Sequence, residues 1–248
     1  MIVPEKKVYV DARVFYIFAV PAVLVALLFV VLGLIFGLIG LPWWLPVLFA
    51  IPFAILTVWV MWRRADQAVL RSLDARGLGQ TEGQRVLNTV ESLCLTSGIA
   101  QPNVQVIDSP ACNIATVSGA EDTLVVTTGL LETLDLMAME GAVAHALTKL
   151  STGATKYGTL AASAKPFISN AQIETAQHWG TGDAGVVSYD ISGVGLTRYP
   201  PGLRSALEQI DGRSTDIPGA TSLGDAWFIP PSTGKEQLGH RIEVLWEL

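Results

Sequence analysis

The chain has 248 residues, of which half are apolar and only 15% are charged, and its mean hydropathy is +0.45. These values are typical of a membrane protein rather than of an ordinary soluble domain. The net charge of −6 is modest and is not gathered into one block, so we exclude nucleic acid as a partner. The two cysteines, Cys94 and Cys112, are interpreted as reduced, buried thiols.

Two apolar runs near the amino terminus predict a transmembrane hairpin. The run from Val14 to Gly40 contains no charged residue, and about 20 apolar residues in a helix are enough to cross the bilayer core. A cleaved signal peptide is the alternative, but its apolar core is only about 7–15 residues long. The second run, Leu45 to Trp62, follows at once and contains two prolines, which spanning helices tolerate.

The positions of the cations predict the orientation of this hairpin. Lys6, Lys7 and Arg13 precede the first run, Arg63, Arg64, Arg71 and Arg76 follow the second, and the connecting loop has no cation. Because cationic flanks favour the cytoplasmic side, both termini and the main domain are expected in the cytoplasm.

Four residues of the hairpin are candidate contacts for a partner or for the lipid bilayer. Gly33 and Gly37 form a G-x-x-x-G pair that would let another helix approach closely, either from a partner protein or from the same hairpin. Trp43 and Trp44 lie in the loop, where indole rings favour the headgroup layer.

The remainder of the chain reads as one domain of mixed helices and strands. In chain order the patterns predict a helix over Thr81–Ser97, strands at Val104–Ile107 and Thr123–Thr128, a core helix over Leu130–Leu150, a helix over Leu203–Ile210 and a final helix over Leu238–Leu248. The low-charge segment from Ser151 to Val187 shows no sustained period, which predicts a mobile or partner-ordered stretch.

Six fragments in this order resemble the HtpX-type membrane metallopeptidases, bacterial relatives of the CAAX prenyl protease. They are the amino-terminal hairpin, CNIAT from Cys112, VVTTGLLETLD from Val125, EGAVAHALTKL from Glu140, LTRYPPGLRSALEQI from Leu196 and RIEVL from Arg241. The resemblance implies an α+β fold, with residues 1–13 as a cytoplasmic N-terminus, 14–62 as the transmembrane hairpin and 63–248 as a gluzincin-like, cytoplasmic peptidase domain. Together with the two apolar runs, it predicts a two-pass protein of the bacterial plasma (inner) membrane.

That family carries H-E-x-x-H on its long helix, because two imidazoles one turn apart bind Zn²⁺ and the glutamate acts as general base. Here the window begins with His145 but has Ala146 at the base position and Lys149 at the second ligand position. The resemblance aligns Val186 with the family's third ligand, a glutamate, and Asp190 with the aspartate that follows it. These five residues are interpreted as a vestigial site, with no catalytic residue, no metal ligand set and no cofactor.

Several alternatives remain open for these residues. His145 is either a buried histidine satisfied by a neighbour or part of a rebuilt metal site with His178, Asp183 or Asp190. Lys149 either pairs with Asp190, or with Asp183 if the register slips, or extends to solvent from the end of its helix.

The function expected from this pattern is that of a protein that is not an enzyme. Its leading form is an accessory or scaffold subunit of a larger membrane protein complex, for which a respiratory-chain supercomplex is one candidate class. A second hypothesis is an adaptor or chaperone that takes membrane-protein segments by strand addition at Ile114–Val117 without cutting them. A third is a membrane protease with unusual metal ligands.

Overall fold

The structure is a computed structural model that describes residues 12–79, 83–181, 185–217, 220–231 and 233–248. Two antiparallel helices open the chain: α1 spans Ala12–Leu38 and α2 spans Trp44–Arg63. Both are long and apolar enough to cross a membrane, and most of their side chains are exposed in the isolated chain. The predicted helical hairpin is therefore confirmed, and its crossing of a membrane stays a prediction. Lys6 and Lys7 lie outside the described residues.

The small residues of α1 are used within this hairpin. A Cβ atom on Gly33 would lie 2.8 Å from the carbonyl oxygen of Trp43 and 3.0 Å from the Val47 side chain, and one on Gly37 would lie 3.5 Å from the Cβ of Trp43. Within the hairpin the two glycines therefore lie against Trp43 and Val47, and a contact of the pair with a partner stays a prediction. Trp43 and Trp44 are more than half exposed and remain predicted contacts.

Nine further helices follow in the described residues. They are α3 (Ala65–Ser72), α4 (Gln84–Ser97), α5 (Thr128–Thr133), α6 (Leu136–Thr152), α7 (Lys156–Ser163), α8 (Asn170–Thr181), α9 (Gly185–Thr197), α10 (Pro200–Ile210) and α11 (Lys235–Trp246), with a 3₁₀ segment at Ala220–Ala226.

In the part of the chain that the structure describes, four strands form one mixed sheet, in the order β1 (Arg76–Gly77), β2 (Asn103–Ile107), β4 (Thr123–Thr127), β3 (Ile114–Val117). β2 and β4 are parallel, whereas β1 and β3 pair antiparallel with their neighbours. With the amino-terminal hairpin, this sheet confirms the α+β architecture.

Two predicted segments differ from the structure. The single helix expected over Leu130–Leu150 is two helices, because the chain breaks at Leu134 and the Asp135 side chain caps α6 by accepting a hydrogen bond from the Ala138 amide at 2.8 Å. The stretch expected to lack a period contains α7 and α8. α8 begins at a reciprocal capping box in which Ser169 and Gln172 bond each other's backbone amides.

The central helix is α6, whose residues from Gly141 to Leu150 are almost entirely buried. Helices α10 and α9 approach α6 closely because a glycine lies at each of the two crossings. Gly141 faces the backbone of α10 at Leu203, and a Cβ on Gly193 of α9 would lie 2.9 Å from the backbone of His145. The crossing of α9 over α6 at His145 sets the geometry of the site described below.

Candidate functional site

Three of the predicted site residues lie on one buried stretch of α6. His145, Ala146 and Lys149 are each no more than 1% exposed. Because residues four apart share a helical face, the imidazole and the ammonium both point toward α9 and the carboxyl-terminal segment. A lysine this deeply buried requires a polar environment built around it.

The fourth residue, Asp190, is held by an arginine that the sequence analysis does not single out. Arg241 of α11 donates to both carboxylate oxygens of Asp190, with its Nε and Nη2 atoms each 2.7 Å away. Both side chains are buried, at 4% and 1% exposure. This two-point geometry is the strongest form of ion pair between an arginine and a carboxylate.

His145 completes the contacts of Asp190. Its Nδ1 lies 2.7 Å from Asp190 Oδ1, but the ring N–H is not aligned for a regular hydrogen bond. Its Nε2 is buried and has no hydrogen-bond partner among the described residues. The ring packs edge-on against Phe228 at a centroid distance of 4.9 Å and against Tyr189 at 6.4 Å.

Lys149 binds the backbone rather than a carboxylate. Its Nζ donates to the carbonyl oxygens of Asp225 and Trp227, both at 2.9 Å, and lies 5.8 Å from the centre of the Tyr189 ring. This geometry corrects two expectations for Lys149: the ammonium is not paired with Asp190, and it does not reach solvent. The third expected partner, Asp183, lies outside the described residues. Because the Asp190 carboxylate already contacts Arg241 and His145, the Lys149 ammonium donates to the backbone carbonyls instead.

Burial and the close charges shift three pKa values in this cluster. Burial, reinforced by the charges of Lys149 and Arg241, lowers the pKa of His145 to about 3, so its imidazole is neutral at physiological pH. Burial and repulsion by Arg241 lower the pKa of Lys149 to about 7. Burial opposes ionisation of Asp190, but the two hydrogen bonds and the positive charge of Arg241 outweigh it and hold the pKa of that carboxyl well below its usual range.

The two cations also fix a segment of the chain, Asp225–Ile229, which we call the strap. The Trp227 backbone forms an antiparallel bridge with Ala115 of β3, and the Phe228 amide donates to the Ile114 carbonyl at 2.8 Å. Lys149 binds the carbonyls of Asp225 and Trp227, and Arg241 Nη1 donates to the Phe228 carbonyl at 2.9 Å. The carbonyl of every residue from Asp225 to Phe228 therefore accepts a hydrogen bond, since Thr116 binds that of Ala226.

The strap covers part of the sheet edge that the adaptor hypothesis requires, with backbone pairing at Ile114 and Ala115. Side-chain bonds from Asn113 to the Ile229 backbone extend the coverage beyond Ile114. Trp227 and Phe228 are fully buried, so lifting the strap would expose two large aromatic side chains. The strap therefore occupies the edge at Ile114 and Ala115, and strand addition along the rest of Ile114–Val117 stays a prediction.

The residues present do not fit a catalytic zinc ion. Such a site needs three protein ligands with free lone pairs, and His145 supplies a single nitrogen, whereas Lys149 is a hydrogen-bond donor and Asp190 is taken by Arg241. Over the described ranges, no group of three histidine, cysteine, aspartate or glutamate side chains is placed to hold a metal. His178 is exposed on α8, and Asp183 lies outside the described residues.

Val186, the residue aligned with the missing ligand, lies one helical turn before Asp190 on α9 and is half-buried. It lines a cavity of about 460 Å³ together with Asp225, His240 and Arg241. The sequence signal for Arg241 was present, because it is the only arginine between Arg213 and the end of the chain and it begins the fragment RIEVL.

Replacing Asp190 with asparagine is expected to destabilise the fold strongly. The substitution leaves the Arg241 guanidinium buried without its counter-charge, and breaking a buried ion pair in this way typically costs about 3–5 kcal/mol. The measurement is the free energy of unfolding in detergent. Asp108→Asn is the matched control, because the Asp108–Arg76 pair is exposed and is worth at most about 1 kcal/mol. Equal losses in the two variants would contradict the account.

The buried amine of Lys149 predicts a pH-dependent stability. Its pKa is about 7 in the folded chain, against 10.5 in the unfolded chain. The unfolded state therefore binds more protons between these values, and stability contributed by this group rises as pH increases from about 7 toward 10. Lys149→Met should flatten that rise in a thermal-melt series across pH, whereas Lys235→Met, which removes an exposed lysine, should leave it unchanged.

Purified protein is expected to contain far less than one zinc ion per chain, because the site offers one nitrogen ligand and two cations. Elemental analysis after gentle purification without chelator measures this directly. A zinc content near one per chain in the native protein, together with a lower content in His145→Ala, would contradict this prediction.

Comparison with known proteins relates the chain to one group. A protein named protease HtpX homolog from Tropheryma whipplei is 28% identical over 203 residues, covering 66% of this chain and 69% of the relative. The homolog of the same name from Dictyoglomus thermophilum is 26% identical, covering 68% of this chain and 67% of the relative, and that from Ralstonia pickettii is 27% identical, covering 88% and 76%. No family model and no solved structure matches the chain.

These relatives correct one expectation and confirm another. The prediction that the chain is not an enzyme is contradicted, because the relatives are named proteases and point to a family of enzymes. The resemblance drawn from the six fragments is confirmed by similarity that extends over most of the chain. The chain is similar over most of its length to members of the HtpX-like protease family, and its two long apolar helices are typical of a membrane-anchored protein.

Proposed function

We propose that the chain serves as an accessory or scaffold subunit of a larger membrane protein complex, anchored by its amino-terminal hairpin. A respiratory-chain supercomplex is one candidate class of such an assembly. The proposal concerns binding, and it is independent of the chemistry that the relatives' name implies.

The observation that carries this proposal is the strap. Because Asp225–Ile229 pairs with β3 at Ile114 and Ala115 and is held by Lys149 and Arg241, this part of the sheet edge is already occupied by the chain itself. Contacts with other proteins are then left to the outer surface and to the two membrane helices.

Exposed apolar side chains support such contacts. Leu136 and Met137 at the start of α6 are 59% and 45% exposed, and Tyr199, just before α10, is 45% exposed. Met137 and Tyr199 both border Gly202, so they belong to one region of the surface. In the membrane, Trp43 and Trp44 project from the turn of the hairpin.

Part of the proposal is that both termini and the domain from Arg63 onward face the cytoplasm. Its support is the distribution of cations around the two helices: Arg13, Arg63 and Arg64 flank their outer ends, whereas the turn at residues 39–43 carries none.

Gentle detergent extraction of the tagged protein tests the subunit proposal. We expect it to co-purify in a fixed ratio with the members of one membrane complex. Replacing Trp43 and Trp44 with serine should lower that ratio, since the two indoles are exposed at the turn, whereas Leu95→Ser, at an exposed site on α4, should not. Recovery of many clients in small, variable amounts, or of the chain alone, would contradict the proposal.

Labelling of intact cells tests the orientation. A cysteine introduced at Trp43 should react with a membrane-impermeant thiol reagent added outside, whereas one introduced at Leu95 should react only after the cells are opened. Both side chains are well exposed, so access to the reagent is the variable being compared. The reverse pattern would invert the topology.

A further inference from the structure

Helices α7 and α8 pack against the beginning of the first membrane helix. The shared apolar cluster contains Val14, Ile17 and Phe18 of α1, Leu160 and Ala161 of α7, Ala164, which follows α7, and Ile173 and Ala176 of α8. Val14, Ile17 and Phe18 are at most 4% exposed, although most of the remaining α1 side chains are exposed. Protein therefore replaces lipid around the first turns of α1.

This packing fixes the depth of α7 and α8. In a helix that spans the bilayer, the terminal turns lie at the level of the headgroups. Val58, Met61 and Trp62, at the matching end of α2, border the same cluster. The hairpin made by α7 and α8 is consequently held beside the point where both spanning helices leave the membrane.

The side chains at this junction are those that favour a membrane interface. The Arg13 guanidinium lies 5.4 Å from the Tyr157 ring centre and 5.7 Å from that of Trp179. Trp179 also packs edge-on against Tyr16, at a centroid distance of 5.4 Å. Aromatic rings and cations gathered at one level are the usual anchors of proteins at the headgroup layer.

The connection between α7 and α8 presents apolar and basic side chains that the rest of the described chain does not cover. Lys165, Pro166 and Phe167 are exposed, and Phe167 is 45% exposed despite its size. The two helices have 8 and 12 residues, too few to cross a bilayer core of about 20 helical residues. An element of this length at the headgroup level can lie in the interface but cannot span it.

We propose that the connection at residues 164–169 inserts into the headgroup layer of the phospholipid bilayer, with Phe167 among the upper acyl chains and Lys165 directed toward lipid phosphates. The surface of this connection is continuous with the two apolar helices α1 and α2 through the shared cluster. The insertion does not depend on the proposed subunit function, because the bilayer alone provides the contact.

The test uses full-length protein in vesicles of phosphatidylcholine and phosphatidylglycerol. Phe167→Cys carries an environment-sensitive fluorophore, and Leu95→Cys, 77% exposed on α4, is the matched control. Both native cysteines are buried and should remain unlabelled. Two quenchers are compared: a lipid with a nitroxide near its headgroup, and aqueous iodide.

The expected result is strong quenching of the label at position 167 by the nitroxide lipid and several-fold weaker quenching by iodide than at position 95. Equal iodide quenching at the two positions, without lipid quenching at 167, would overturn the proposal. A label at 167 shielded from both quenchers would also overturn it, because protein would then cover the tip. If Phe167→Cys does not reconstitute, Lys165→Cys tests the same insertion.

Discussion

The buried ion pair between Asp190 and Arg241 is the constraint around which the centre of the domain is organised. It joins α9 to α11, and the same carboxylate lies 2.7 Å from the His145 imidazole on α6. A carboxylate at 1% exposure stays ionised because two charge-assisted hydrogen bonds offset the loss of water. Once Asp190 is committed to Arg241, the ammonium of Lys149 must find other acceptors.

Those acceptors are the carbonyls of the strap, and this choice connects the ion cluster to function. Lys149 and Arg241 together hold three carbonyls between Asp225 and Phe228, so the cations that fill the core of the site also close the edge of β3. A zinc site in this position would require free lone pairs directed inward, whereas here cationic donors are directed at carbonyl oxygens. The HtpX-like chain thus keeps its central helices in close contact through charge pairing and glycine crossings.

Sequence patterns predicted the structure where the signal lies in residues that are close together in the chain. Long uncharged runs predicted the two apolar helices α1 and α2. The four-residue spacing of His145 and Lys149 put both on one face of α6 but left open whether Lys149 reaches solvent. The capping box at Ser169 and Gln172 was also readable but was overlooked because the segment around it lacks a sustained apolar period. The contacts formed by Lys149 could not be read in this way, since its acceptors are backbone carbonyls 76 and 78 residues away. A carbonyl has no side-chain signature, and the role of Arg241 likewise depends on a partner 51 residues away.

Amide hydrogen exchange at Phe228 and Ile229, in protein freed of metal by a chelator, tests the central claim most directly. These two amides donate to the Ile114 carbonyl and to the Asn113 side chain, so they report on whether the strap is closed. If Lys149 and Arg241 hold the strap without a metal, both amides should exchange as slowly as those of the buried part of α6. Rapid exchange that becomes slow only when zinc is added would contradict the account.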